Sequence, residues 1–269
     1  MNRVDFSKIA TKYEGYSSVQ KSAAEVLLKL LEIGNTDDVL DLGCGVGNLT
    51  RMIREITKGK VVGIDPSEGM IKEAMKKCRG SDITFEMKSA EEMEYKNCFD
   101  VIFCNSSLQW FREPQKAIKN CHTALRKDGR IGIQAPAKRV YSPNFIGAVE
   151  KVKEDPRTKN IFAHFKEPWF LLEKEDEYTT LFEKIGFDVV FLKIESIKTK
   201  HTPEEVFNIF SSGAIAGYLN EDFYDVKIDV EYMNTFKEIV KDAFVQQANK
   251  QGEVELIFNR IFLVAIKRM

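Results

Sequence analysis

Neither charge predominates in this chain: 40 lysines and arginines stand against 41 aspartates and glutamates in 269 residues. A near-neutral balance offers no broad electrostatic footprint for nucleic acid, so no nucleic-acid partner is expected. Long apolar runs are missing as well. None approaches the ~18 residues that would suggest a membrane span, so no membrane partner is expected. The opening stretch MNRVDFSKIATKYEGYSS lacks an apolar core followed by a small-residue cleavage site, the pattern of a secretory signal. Cysteine is sparse and scattered, and Cys44, Cys78, Cys98, Cys104 and Cys121 form no CxxC pair. Reduced thiols in a cytoplasmic protein are the expectation. With no His/Cys cluster at ligand spacing, no metal site is expected either. Internal repeats, low-complexity tracts and an obvious Ser-His-Asp or paired-carboxylate constellation are also lacking.

What the chain does have is an alternation of buried-strand and helix patterns. Val19, Ala23, Val26, Leu27, Leu30 and Leu31 follow helical spacing, and Gly34 stands where a helix would stop. Strand patterns follow at Val39 to Leu42, Val61 to Ile64, ITFEM (83–87), FDVIFCN (99–105) and RIGIQAP (130–136). Between them run helical stripes such as Met70, Ile71, Ala74, Met75 and Cys78. This rhythm predicts an α/β, doubly wound, Rossmann-like parallel sheet covered on both faces. After Pro136 the pattern changes. Residues 137–180 look irregular and aromatic, which suggests an inserted cap. GFDVVFLKI (186–194) and ELIFNRIFLVAIK (255–267) read as two further strands, giving a seven-stranded mixed sheet. Thr202-Pro203-Glu204-Glu205 is a capping box that opens a helix, and a longer helix is expected over roughly 229 to 250. The expected division is N-terminal helices and cofactor-binding core over 1–136, a cap insertion over 137–180, and completion of the core over 181–269. That last part would add a further helical cap element at about 199–250 and a terminal strand.

The stretch VLDLGCGVGNLT places Gly43, Gly45 and Gly47 at the end of the first buried strand. Ligands of open α/β sheets bind outside the carboxyl ends of the strands. The dinucleotide fingerprint G-x-G-x-x-G would need glycine at 48 or 50, where this chain has Asn48 and Thr50. Asp41, two residues before Gly43, is a poor neighbour for a pyrophosphate and suits a ligand carrying positive charge. Asp65 ends the second strand in VVGIDPSEGM, just before Pro66. A carboxylate at that point can accept hydrogen bonds from both hydroxyls of a ribose. A ribose, a positive charge and no phosphate together describe S-adenosylmethionine.

These two stretches resemble motifs one and two of class I S-adenosylmethionine-dependent methyltransferases. FDVIFCNSSLQW and ALRKDGRIGI resemble the later motifs, with Lys-Asp-Gly where Pro-Gly-Gly is commoner. FSKIATKYEGYSSVQKSAAEVLL, LQW at 108–110 and LIFNRIFLVA are similar to one branch of that family. It holds the trans-aconitate, malonyl-carrier and juvenile hormone acid methyltransferases, all of which esterify a carboxylate. The resemblance implies a cofactor site that includes Tyr13, Asp41, Gly43, Gly45, Gly47, Asp65, Pro66, Ser89, Ala90, Glu91 and Asn105. The family usually has aspartate where this chain has Ser89, at the adenine amino group. The resemblance further implies that Gln20 and Trp110 hold the acceptor carboxylate in line as catalytic residues, and that Arg260 takes part in binding it. His164 and Trp169 belong to the aromatic cap and are candidate acceptor-binding residues. The partner implied is a small-molecule carboxylic acid, free or carrier-linked.

Plainer readings stand beside each assignment. The glycines fit any tight strand-to-helix turn, Asp65 and Asn105 any turn, and Glu91 a helix start. Gln20 fits a solvated position, Trp110 a packed core, and His164 an exposed or packed imidazole. A buried Arg260 fits an internal salt bridge, since an unpaired buried arginine is costly. Methyl transfer to an amine or carbon acceptor, a binding protein without chemistry, and a dinucleotide oxidoreductase are the rival functions. Asn48 and Asp41 count against the oxidoreductase.

Overall fold

The structure, a computed structural model, describes residues 18–268, with side chains from residue 23 onward. Seven strands form one sheet: β1 (Val39–Leu42), β2 (Val61–Asp65), β3 (Thr84–Met87), β4 (Phe99–Asn105), β5 (Leu125–Pro136), β6 (Phe187–His201) and β7 (Val254–Lys267). Their order is 3-2-1-4-5-7-6. The first five run parallel, and β7 lies antiparallel between β5 and β6. This is the seven-stranded mixed sheet that the alternating pattern predicts. β1 pairs with β2 on one side and β4 on the other, so the loops leaving β1 and β4 part company and open a crevice at the carboxyl edge.

Both faces of the central strands are covered, and β1 and β2 are buried at every position. Such strands read as continuous apolar runs. Asp41 and Asp65, the only acids in VLDL and VVGID, are therefore conspicuous.

Helix α1 (Ser18–Leu31) packs through Ala23, Ala24, Leu27, Leu28 and Leu31 against Val101, Phe103, Phe262 and Val264. The face is rotated from the expected stripe, because Val26 is 39% exposed. Helices α2 (Asn48–Ile56) and α3 (Glu68–Lys77) follow β1 and β2, and α4 (Pro114–Ala124) precedes β5. Ser67 caps α3 by accepting from the Met70 N–H, and Pro114 opens α4, where its missing N–H is not needed.

The region after β5 is more regular than its composition suggests. It holds α5 (Pro143–Glu154), the short α6 (Lys159–Phe162) and α7 (Glu175–Glu183). Tyr178 and Phe182 of α7 join the core of the main sheet with Phe99 and Phe187. Helices α5 and α6 instead share a second core with α8 (Pro203–Ser212), α9 (Ile215–Tyr218) and α10 (Val230–Gln246), centred on Phe145, Phe210, Phe236 and Phe244. The capping box that opens α8 is formed: Thr202 Oγ1 accepts from the Glu205 N–H at 3.3 Å, and the Glu205 carboxylate accepts from the Thr202 N–H at 2.8 Å. Strand β7 joins the two cores. Val254 and Leu256 sit in the cap core, while Ile261, Leu263 and Ala265 sit in the sheet core. Asn259 and Arg260 fall at the crossing point.

Candidate active site

The three glycines of the first turn all have positive φ, at 80°, 52° and 81°, but each answers a different neighbour. A Cβ on Gly43 would overlap the Ser107 hydroxyl. A Cβ on Gly47 would press into Phe85, Ala74 and Cys78 at 3.0 to 3.2 Å, so this glycine serves helix packing. Gly45 has nothing among the described residues within 4 Å of the corresponding position and borders a cavity. Of the three, Gly45 alone leaves room above the backbone for a ligand among the described residues.

That cavity occupies about 1010 Å³ between the carboxyl edge of the sheet and the cap. Asp65 lies on its wall with 8% of its surface exposed. Its Oδ2 accepts from the Gly45 N–H at 3.1 Å and its Oδ1 from the Ser67 N–H at 2.9 Å. These bonds fix the carboxylate while leaving a lone pair on each oxygen. Burial pushes its pKa up to about 6 against the pull of the two amides. Asp41 is 2% exposed and does not border the cavity. Its carboxylate accepts from the Thr50 hydroxyl at 2.6 Å. Burial pushes its pKa up to about 7; the Thr50 bond opposes the rise and the Asp65 charge adds to it. Asp41 and Gly47 thus stand beneath the turn rather than on the cavity wall.

Pro66, Ser89, Ala90 and Glu91 line the cavity beyond Asp65. The Ser89 hydroxyl donates to Glu92 at 3.0 Å and keeps its acceptor lone pairs. The Glu91 carboxylate accepts from the backbone N–H groups of Arg112 and Glu113, at 2.9 and 3.4 Å, just ahead of α4. This gives Glu91 a structural task at the start of that helix.

At the end of β4, Asn105 is 8% exposed and lines the cavity, and its Oδ1 has no hydrogen-bond partner among the described residues. Ser106, next in the chain, has φ of 56°, an uncommon conformation for a serine. It is held there by Gln134, whose backbone carbonyl accepts from its N–H at 2.7 Å and whose side chain accepts from its hydroxyl at 3.1 Å. Gln109 donates from Nε2 to the Ser106 carbonyl at 2.8 Å, leaving its buried Oε1 without a partner among the described residues. Ser106, Gln109 and Gln134 all line the cavity and were not singled out from the sequence. A glutamine inside the apolar strand RIGIQAP was the available signal for Gln134.

Trp110 closes a 3-10 turn (Leu108–Trp110), and its ring lies 6.0 Å from Trp169 across the cavity wall. Trp169 packs edge-on to Tyr218 at 4.8 Å and against Gly217, where a Cβ would enter the indole. Arg260 is 9% exposed and lines the cavity from β7. Its Nε and Nη2 donate to one oxygen of Glu195 at 3.0 and 2.8 Å, and its guanidinium stacks over Phe262 at 4.9 Å. Its Nη1 is buried without a partner among the described residues. The internal salt bridge is therefore present, with one edge of the fork left over. His164 is exposed and does not border the cavity, contrary to its expected place near the acceptor. Tyr13 and the side chain of Gln20 lie outside the described residues; the backbone of Gln20 belongs to α1.

A doubly wound sheet with a glycine turn and an acid-ended second strand at its switch point defines an α/β protein of the nucleoside-cofactor-binding kind. The methyltransferase domain family matches residues 33–186, and the chain belongs to that family, among the class I S-adenosylmethionine-dependent methyltransferases. It is similar to the malonyl-[acyl-carrier protein] O-methyltransferase of Acetivibrio thermocellus, 31% identical over 52% of this chain and 50% of that protein. It therefore spans about half the length of that relative. It is also similar to the trans-aconitate 2-methyltransferase of Shigella flexneri, 22% identical over 94% of this chain and 95% of that protein. The crystal structure of the YcgJ protein from Bacillus subtilis shares the fold, with a TM-score of 0.60 and 17% identity over 93% of this chain and 99% of that one.

Proposed function

We propose that this protein binds S-adenosylmethionine and methylates a carboxylate oxygen of a small acid, free or carrier-linked. The observation that carries this reading is the pairing of two ends in one cavity. Asp65 and the open backbone of Gly45 stand at one end, and Arg260, with Nη1 unpartnered among the described residues, stands at the other. Relatives named for methylating malonyl-carrier and trans-aconitate support a carboxylate acceptor.

The residues at the first end fit the cofactor. Gly45 admits a ligand where a Cβ would stand, and two buried acids make the turn hostile to phosphate and favourable to a cation. In this reading the free lone pairs of Asp65 accept from the ribose hydroxyls. Ser89 and the Ala90 N–H meet the adenine edge beside Pro66 and Glu91, while Gly45 lets the tail run close to the backbone. Asn105 Oδ1 accepts from the ammonium. Bound there, the cofactor supplies an electrophilic methyl group on a sulfonium.

The chain's own part is then orientation. A carboxylate is already ionised at neutral pH, so no residue has to remove a proton. Arg260 Nη1 and the Trp110 N–H hold the acceptor oxygens, and Trp110 with Trp169 excludes water from the line of attack. Incubation with donor labelled in the methyl group and a panel of acids, amines and phenols tests the proposal. Label that alkali releases as methanol marks an ester. Label found only in base-stable products would transfer the reading to an amine or carbon acceptor, and cofactor binding without transfer to any acceptor would leave a binding protein.

A further inference from the structure

We infer that the acceptor is a monocarboxylic acid carrying an apolar chain of about ten carbons, seated in a sleeve inside the cap. The inference rests on the carboxyl-transfer reading above and adds the class of acid to it. Three observations point there. The first is the lining of the cavity on the cap side, where Phe145, Trp169, Leu171, Ile209, Ala214 and Phe258 meet. Apart from Phe145, these residues are only partly buried, although they pack against the aromatic core of the cap. Their remaining surface faces an interior space rather than more side chains, so the core of the cap is unfinished on this side. Apolar surface left open inside a core favours an apolar occupant.

The second observation is charge. Among the described residues Arg260 has one unpartnered edge, enough for one carboxylate. Of the other cations on the cavity wall, three lysines have acidic partners, Lys88 with Glu86 at 2.9 Å, Lys116 with Glu113 at 3.5 Å and Lys166 with Asp225 at 2.5 Å, and Arg112 stands exposed at the rim. A second carboxylate at the far end of the acceptor would lie among Ile209, Ala214 and Phe258, where it would lose its water without gaining a counter-charge.

The third is size. An apolar cavity of ~150 Å³ accommodates benzene, or about 25 Å³ per non-hydrogen atom. On that scale the cofactor, with about 27 such atoms, takes about 680 Å³. The cavity opens to solvent past the exposed Arg112, Glu113 and Lys116, so of its 1010 Å³ at most roughly 330 Å³ is left for the acceptor, room for up to about 13 atoms. A ten-carbon acid has twelve.

The chain's two tryptophans, Trp110 and Trp169, both line the cavity, so intrinsic fluorescence reports occupancy without any need for turnover. Straight-chain monocarboxylates of four to sixteen carbons, and dicarboxylates of equal length, are titrated into the full chain with S-adenosylhomocysteine present. Affinity is expected to rise about fourfold per methylene, as for a fully buried group, and to level off near ten carbons. Dicarboxylates should bind at least tenfold more weakly. Ala214→Leu, which fills the sleeve, should shorten the optimum by about three carbons, and Ile209→Ala should lengthen it by a similar amount. S-adenosylhomocysteine affinity checks that both variants are folded. Affinities flat across chain length, or an optimum that neither variant moves, overturn the inference. Turnover of the same acids with labelled donor separates it from the reading beneath. A chain-length optimum in binding without ester formation sustains the sleeve and defeats carboxyl transfer. Esters formed on short acids with flat binding do the reverse.

Discussion

Replacing Asp41 by asparagine should make the ligand-free protein more stable at neutral pH, although Asp41 stands at the heart of the cofactor turn. Its carboxylate is fully buried, accepts one hydrogen bond, from Thr50, and feels the charge of Asp65. Burial leads the causes that raise its pKa to about 7. The folded state therefore holds a proton that the unfolded chain releases above about pH 4. Stability contributed by this group is lost as pH rises from about 4 to about 7, because the folded state binds more protons across that window. At pH 7.5 the penalty has a ceiling of about 4 kcal/mol, against roughly 1.7 kcal/mol at pH 5. Asparagine keeps an acceptor for Thr50 and does not ionise. The advantage of Asp41→Asn over the native chain should thus widen by up to about 2.5 kcal/mol between pH 5 and pH 7.5. In a chain of this size that amounts to several degrees in Tm. Urea unfolding of both proteins without ligand, at the two pH values, measures it. The same substitution removes negative charge beneath the turn, so S-adenosylmethionine, a cation at sulfur, should lose more affinity than its uncharged-sulfur product. A gap that does not widen with pH, or a variant less stable than the native chain at pH 7.5, would refute the reasoning.

Other substitutions probe the remaining parts of the site. Asp65→Ala should weaken S-adenosylmethionine binding about thirtyfold, or about 2 kcal/mol, for the loss of a charge-assisted bond to the ribose; unchanged affinity by calorimetry would remove Asp65 from the site. Gly43→Ala has to tolerate a φ of 80° and an overlap with Ser107, and should lower stability by ~2 kcal/mol in urea unfolding. Gly217→Val pushes the Trp169 indole from its seat, and should raise KM for the acceptor while leaving the cofactor Kd unchanged. Trp110→Phe keeps an aromatic body without the N–H, and should cut turnover by ~10²-fold with little change in cofactor affinity if the bond forms chiefly in the transition state.

The sheet was legible from sequence because its strands are buried on both faces and so advertise themselves as short apolar runs. VLDL, VVGID and FDVIFCN need no context to be recognised. The cofactor end was legible for a related reason. Its groups sit at the ends of those strands, between Gly43 and Asn105, where an acid or a glycine breaks the apolar pattern. Sequence did not tell which glycine faces a ligand. Gly43, Gly45 and Gly47 look alike in the chain, and only the neighbours brought by β3, α3 and the β4 loop distinguish them. Nor does sequence tell where Asp41 points: its place in the motif is next to the glycine turn, but its side chain accepts from Thr50 of α2. His164 lies in an aromatic-rich stretch whose residues do not all face the cavity. Phe162 turned into the core and His164 turned outward.

The acceptor end was harder to read because it has no local signature. It draws Tyr141 and Phe145 from around the start of α5, Trp169 and Leu171 from the segment before α7, Ile209 from α8 and Phe258 to Arg260 from β7. No pair of these elements is adjacent in sequence, so no spacing rule connects them. What brings them together is β7, which runs antiparallel through the sheet and continues into the cap core. A strand shared by two cores must cross the gap between them, and whatever side chains stand at the crossing face the cavity. In this chain the crossing carries Arg260, and Glu195 of β6, its register partner, takes two of its donors. Glu195 steadies the guanidinium and lowers the cost of burying it, leaving Nη1 as the edge that the cavity can use. The donor end is therefore set by backbone turns at the sheet's own edge. The other end is set by which side chains the cap hangs around one crossing strand, and on the proposed carboxyl-transfer reading substitutions in α8 and α9 should change the acid accepted without disturbing the glycine turn.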